Sequence, residues 1–280
     1  MENKEDISFA LRFMTEHPKA AVRVLEQTDP NAVARLFASI PPAYSSSVLR
    51  YMMPELASNL LHRLDIEDAG AILSDLDNTS VTSILRLVDQ NTRRLLLDEL
   101  PAGLCKNCEL LLSFPINTVG AWMNPSMLSI ADDLKCKNVL RSLKARETAG
   151  GSDMIYIVDR EGTYLGRTLL LDVLKANENQ QVSAIMDTSC PALPAPMILT
   201  QAGEHRAWEI ADDLPVTNRN NKLLGILHHH TLRLGLNQNK AKRNYQQVGR
   251  DPVSSIFEVY GQSLLALLNS VSEAVESERK

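Results

Sequence analysis

A twelve-residue repeat near the start of the chain limits the fold more than any other feature. Seven consecutive blocks beginning at Asp29 each have Asp or Pro within their first two residues, and positions 8, 9 and 12 are apolar in at least six of them. Asp caps the first N–H groups of a helix, and Pro suits its first turn. Positions 5, 8, 9 and 12 share one helical face. Position 8 holds Leu36, Val48, Leu60, Ile72, Ile84, Leu96 and Cys108.

Helices of about two turns are not stable alone, so each block must bury its apolar face against its neighbours. We therefore expect an all-α superhelix of stacked short helices. An irregular helical bundle with chance periodicity is the alternative. The same pattern explains the CKNC motif, because Cys105 and Cys108 occupy positions 5 and 8 of the last block. Without a second CxxC motif to complete a zinc site, both are interpreted as apolar-face residues.

The second half of the chain contains two copies of a smaller unit. Residues 154–174 read as strand, turn, strand and helix, and residues 213–234 follow the same order. A methionine-containing phrase precedes each copy, AWMNPSMLSI at 121–130 and AIMDTSCPAL at 184–193. Each phrase is followed by a helical stretch, so the complete unit occurs twice.

These two units resemble a tandem pair of CBS domains. Together with the twelve-residue repeat and the connecting LLSFPINTVGAWMNP, they resemble the cytosolic part of the MgtE magnesium transporters, over about residues 20–236. The resemblance implies an α+β chain in four parts. These are a helical superhelix at 1–114, CBS domains at 115–180 and 181–238, and a C-terminal linker and helix at 239–280.

The resemblance also implies a function and its ligands. CBS pairs associate with each other and often bind adenine nucleotides in the cleft between them, and the transporters sense Mg²⁺ through acidic groups. No segment of this chain is apolar enough to span a membrane, so it is not expected to conduct ions alone. Ile116 and Asn117 stand where the transporters usually carry an acidic pair, so two candidate Mg²⁺ ligands are missing and the metal ligands stay unknown.

The candidate nucleotide-binding residues follow from the CBS pattern G-x-x-T-x-x-D. In the first copy Leu169 takes the Thr place and Asp172 keeps the Asp, whereas in the second copy His228 and Thr231 take these places. Because Thr replaces a carboxylate poorly as an acceptor for a ribose diol, at most one competent cleft is expected, the one with Asp172. The complete candidate set is Asp172, Thr168, His228 and Thr231.

Three consecutive histidines, His228, His229 and His230, lie at a strand-to-helix junction. Successive side chains there point in different directions, so the three imidazoles do not readily converge on one metal ion. A polar strand end is the first interpretation. Contact of His228 with an anion or nucleotide is the second, and adventitious metal binding is the third.

A predicted C-terminal helix carries an apolar seam over residues 253–274. Its spacing indicates a dimer-forming or docking helix, with intramolecular packing as the alternative. Its acidic polar face argues against binding to anionic lipid. The seam residues assigned to docking are Phe257, Tyr260, Leu264, Leu267 and Val271.

Composition and motifs narrow the function further. A net charge of -5 argues against nucleic acid as a partner, and the four sparse cysteines favour reduced thiols in the cytoplasm. No catalytic motif is present, so the chain is not expected to be an enzyme. The sequence favours a regulatory sensor that binds an adenine nucleotide or Mg²⁺, requires no cofactor, forms a homodimer and changes its domain arrangement. A structural adaptor, whose superhelix binds a protein and whose CBS pair only dimerises, is the alternative.

Overall fold

The computed structural model describes residues 2–144 and 153–244. Contacts divide the chain into two compact units, the first extending to Cys108 and the second starting at Glu109. The predicted docking helix at 253–274 lies outside the described residues. In the part of the chain that is described, no helix has the length and apolar character needed to cross a membrane.

The first unit is built from short helices joined by tight turns. Its helices are α1 (Glu2–Glu16), α2 (Pro18–Leu25), α3 (Pro30–Ser39), α4 (Pro42–Leu49), α5 (Pro54–Leu61), α6 (Ile66–Ser74), α7 (Asn78–Leu85), α8 (Gln90–Glu99) and the first part of α9 (Ala102–Leu112). Alternate helices pack together, so that α2, α4, α6 and α8 form one row while α3, α5 and α7 form another.

The twelve-residue pattern is confirmed at the level of single residues. Each block forms one helix, and all seven residues at position 8 are buried. The side chains of Asp29, Asp77 and Asp89 accept hydrogen bonds from backbone N–H groups in the first turn of α3, α7 and α8. These caps satisfy N–H groups in the first turn of the three helices that would otherwise lack a hydrogen-bond partner.

Arg93 brings a charged side chain to position 5 of its block, and its hydrogen bonds explain why. Its guanidinium donates to the carbonyl oxygens of Leu85 at 2.6 Å and Val88 at 2.9 Å, at the end of α7. A cation there also complements the helix dipole. Cys108, by contrast, is fully buried, and burial raises the pKa of its thiol to about 11.

The second unit contains two sheet repeats with the same topology. In each, the first strand pairs parallel with the second and the second antiparallel with the third. The first repeat has β1 (Ser129–Ala131), α10 (Cys136–Lys144), β2 (Met154–Val158), β3 (Tyr164–Leu169) and α11 (Leu170–Lys175). The second has β4 (Leu193–Pro194), α12 (Leu199–Gly203), β5 (Asp213–Thr217), β6 (Leu223–His228) and α13 (His229–Asn244). The predicted α+β class is confirmed.

Two short stretches of antiparallel backbone pairing join the two repeats. Asp187, which precedes the second repeat, pairs with Arg167 on β3, and Asn124, which precedes the first, pairs with Ile226 on β6. Gly166 and Gly225 permit this close approach. A Cβ at either glycine would lie 2.7 Å from the carbonyl oxygen of the bridging segment.

Candidate functional site

A buried aromatic cluster joins the two repeats. Tyr156 and Tyr164 of the first repeat pack with Ile226 of the second, and the two tyrosine rings lie 6.5 Å apart. Because side chains alternate along a strand, His228 faces the same side of β6 as Ile226. Arg167 is the cross-strand partner of Tyr156 and shares its face. The polar residues at these strand ends therefore face the junction of the repeats.

Arg167 connects the repeats through both its backbone and its side chain. Its Nη1 donates to the carbonyl oxygen of Asp213 over 3.3 Å, and its Nε lies 3.7 Å from Oδ2 of Asp187. The Arg167 side chain is only 11% exposed. A guanidinium in such a position is a fixed charge rather than a solvated surface group.

His228 contacts a carboxylate of its own repeat. Its Nδ1 forms a short contact with Oδ1 of Asp213, and both side chains are about one-quarter exposed, at 26% and 24%. The ring of His230 stacks on His228 with the centroids 5.3 Å apart. The hydroxyl of Thr231 is buried and lies 3.2 Å from Nε2 of His230. Both candidate residues of the second repeat therefore already have internal partners.

The candidate residues of the first repeat have different surroundings. Asp172 is exposed in the first turn of α11, and Leu169 just before it is 42% exposed. Thr168 is buried on the opposite face of β3, where its hydroxyl donates to the carbonyl oxygen of Ile185 at 3.4 Å. The assignment of these side chains to a nucleotide stays a prediction.

Tyr156 places a hydroxyl group at this junction that the sequence did not identify. Tyr156 is fully buried, and its hydroxyl has no hydrogen-bond partner among the described residues. Burial raises the pKa of Tyr156, and the nearby Asp213 acts in the same direction. Its position within an apolar stretch, MIYIV, gave no signal of a polar role.

The three consecutive histidines do not converge on one point in the structure. His229 stacks on Trp208 at 4.9 Å, whereas His228 and His230 stack on each other. Within residues 2–144 and 153–244, no group of three or more His, Cys, Asp or Glu side chains is arranged to hold a metal ion. The backbone carbonyl of Ile116 accepts a hydrogen bond from the indole of Trp122, and that of Asn117 accepts one from the backbone N–H of Leu199.

The chain is similar to a known protein family and to solved structures. Residues 16–117 match the family model of the MgtE intracellular N domain. A crystal structure of the cytosolic domain of the Mg²⁺ channel MgtE in complex with ATP is similar, with a TM-score of 0.68 and 22% identity over 80% of this chain and 92% of that one. The chain resembles the cytosolic part of the MgtE transporters.

Two further solved structures are similar. The soluble part of a magnesium transporter has a TM-score of 0.59 and 15% identity over 85% of this chain and 99% of that one. A cystathionine β-synthase (CBS) pair domain from Shewanella oneidensis MR-1 has a TM-score of 0.48 and 19% identity over 60% of this chain and 98% of that one. No curated protein matches the chain. The predicted resemblance to the cytosolic part of the MgtE transporters is confirmed.

Proposed function

We propose that this chain is a non-catalytic regulatory sensor of the cytoplasm, which binds an adenine nucleotide, or Mg²⁺, at its CBS pair. Binding then changes the domain arrangement of the MgtE-like N domain and the CBS pair. Such a response requires that the ligand binds one arrangement more tightly than the other. The domains proposed for this role are those predicted from the sequence, with homodimerisation through the CBS pair, the C-terminal helix or both.

The exposed carboxylate of Asp172 carries this proposal. It lies in the first turn of α11, directly after the strand that reaches across to the second repeat through Arg167. An exposed carboxylate can accept hydrogen bonds from a ribose diol without losing an internal partner. The similar cytosolic domain of the channel MgtE was crystallised with ATP, which favours a nucleotide as the first ligand to test.

The second repeat favours the adaptor as the competing function. His228 and Thr231 are both engaged by neighbouring side chains, so a ligand there would have to displace an internal contact. If the first repeat also binds no ligand, the CBS pair serves only for dimerisation. The function that remains is then the binding of a protein partner by the superhelix.

Thermal unfolding of the full chain with ATP, ADP, AMP or Mg²⁺ distinguishes these functions. A ligand at about one hundred times its dissociation constant adds about 2.7 kcal/mol of stability, which is a shift of several degrees in a protein of this size. Asp172→Ala should abolish the nucleotide shift, and Asp98→Ala, at an exposed site on α8, should retain it. The absence of a shift with all four ligands would contradict the sensor and favour the adaptor.

A further inference from the structure

The imidazole of His228 contacts the carboxylate of Asp213 in the second repeat. The two residues face each other at the open end of the β5–β6 ladder. At the same register in the first repeat, Met154 pairs with Leu169. Since an apolar pair fills this position in an otherwise equivalent sheet, the fold does not require an imidazole and a carboxylate there.

The surroundings fix the carboxylate beside the imidazole. The backbone of Asp213 is held by the guanidinium of Arg167, and the charge of that guanidinium is already shared with Asp187. His230 covers one face of the His228 ring. The neighbouring Asp212 accepts a backbone hydrogen bond from His229. On the Nδ1 side of the His228 ring, the carboxylate of Asp213 therefore occupies the position of an anionic partner.

We infer that Asp213 is a specificity-determining residue that excludes phosphate groups from the His228 side of the CBS pair. This inference rests on the proposed function, because it assigns phosphate-bearing ligands to the Asp172 side alone. At an effective dielectric constant between that of bulk water and that of a protein surface, repulsion between two like unit charges about 6 Å apart lowers a binding constant on the order of tenfold. A polyphosphate meets this repulsion as long as the Asp213 carboxylate remains.

The variant Asp213→Asn removes the charge and keeps a side chain of the same shape. Titration calorimetry of the full chain with inorganic tripolyphosphate should then detect a new site, or one strengthened on the order of tenfold. Adding His228→Ala to this variant should remove the site again. Asp212→Asn is the matched control, since it removes a neighbouring carboxylate that does not contact His228, and it should leave binding unchanged.

A second variant keeps the test valid if Asp213→Asn does not fold. Asp213→Met places at this position the residue that the first repeat has there, Met154, and it should also admit tripolyphosphate. If Asp213→Asn and Asp213→Met both bind like the unmodified chain, or bind more weakly, the inference is wrong.

The proposed function is tested separately in the unmodified chain. Loss of ATP binding in Asp172→Ala concerns that proposal alone. A phosphate site that appears only without the Asp213 carboxylate establishes the inference even if the unmodified chain binds no nucleotide.

Discussion

Gly225 is the position where one added methyl group should be most damaging. A Cβ there would lie 2.7 Å from the carbonyl oxygen of Asn124 and 3.1 Å from its carbonyl carbon. These are backbone atoms, so no rotamer change relieves the contact. The same Asn124 exchanges two backbone hydrogen bonds with Ile226, at 2.6 and 3.0 Å. Gly225→Ala must therefore push apart the bridge that joins the two repeats.

The expected magnitude combines strain and lost hydrogen bonds. Overpacking of a tight contact costs about 1–3 kcal/mol, and each weakened hydrogen bond about 1 kcal/mol. We expect Gly225→Ala to lower the free energy of unfolding of the second unit by about 2–4 kcal/mol. Gly103→Ala is the control, since a Cβ there meets nothing within 4 Å, and alanine is favoured over glycine in a helix.

Tryptophan fluorescence provides an assay that is specific to the second unit. The chain has two tryptophans, Trp122 and Trp208, and both pack in the core of that unit. Urea unfolding followed by their emission should give a lower midpoint for Gly225→Ala and an unchanged one for Gly103→Ala. An unchanged midpoint in Gly225→Ala would refute the close packing of β6 on the Asn124 segment.

Three further predictions test the first unit and the junction. Leu60→Ala should cost about 2–5 kcal/mol by leaving a cavity, whereas Leu95→Ala, at a side chain 51% exposed, should cost less than about 1 kcal/mol; far-UV circular dichroism during unfolding measures both. In the native protein at pH 8, a thiol reagent should label Cys105 first. The buried Cys108, with its pKa of about 11, should stay unreacted until the chain unfolds. Equal labelling rates for the two cysteines would contradict the burial of Cys108. Hydrogen bonds from Ser189, and secondarily Arg167, lower the pKa of Asp187. The stability that Asp187 contributes is therefore present above its unfolded pKa of about 3.9 and is lost as the pH falls through the lower folded value. The melting temperature of Asp187→Asn should lack this part of the acid dependence.

The helical unit could be predicted from the sequence because its pattern is local. Capping residues and the apolar positions 5, 8, 9 and 12 act within one helix and its neighbours, so the periodicity determined both the elements and the buried side. Arg93 could not be assigned this way. Its role depends on carbonyl groups at the end of the preceding helix, and no apolar pattern encodes that contact.

The sheet repeats were predictable as elements but not in their contacts. Asp213 and His228 are 15 residues apart, and their pairing follows only when the register of β5 and β6 is known. In the first repeat, strand alternation along β3 places Thr168 on the face opposite to Arg167, away from the junction. The bridges at Gly166 and Gly225 join segments distant in sequence, so the motif indicates a glycine without showing which backbone it contacts.

ATP binding to the full chain, measured by titration calorimetry with Asp172→Ala and Asp98→Ala in parallel, decides whether the chain is a nucleotide sensor. We expect saturable binding in the unmodified chain and in Asp98→Ala, and no binding in Asp172→Ala. Equal ATP affinity in all three proteins, or no binding in any of them, would contradict a nucleotide sensor built on Asp172.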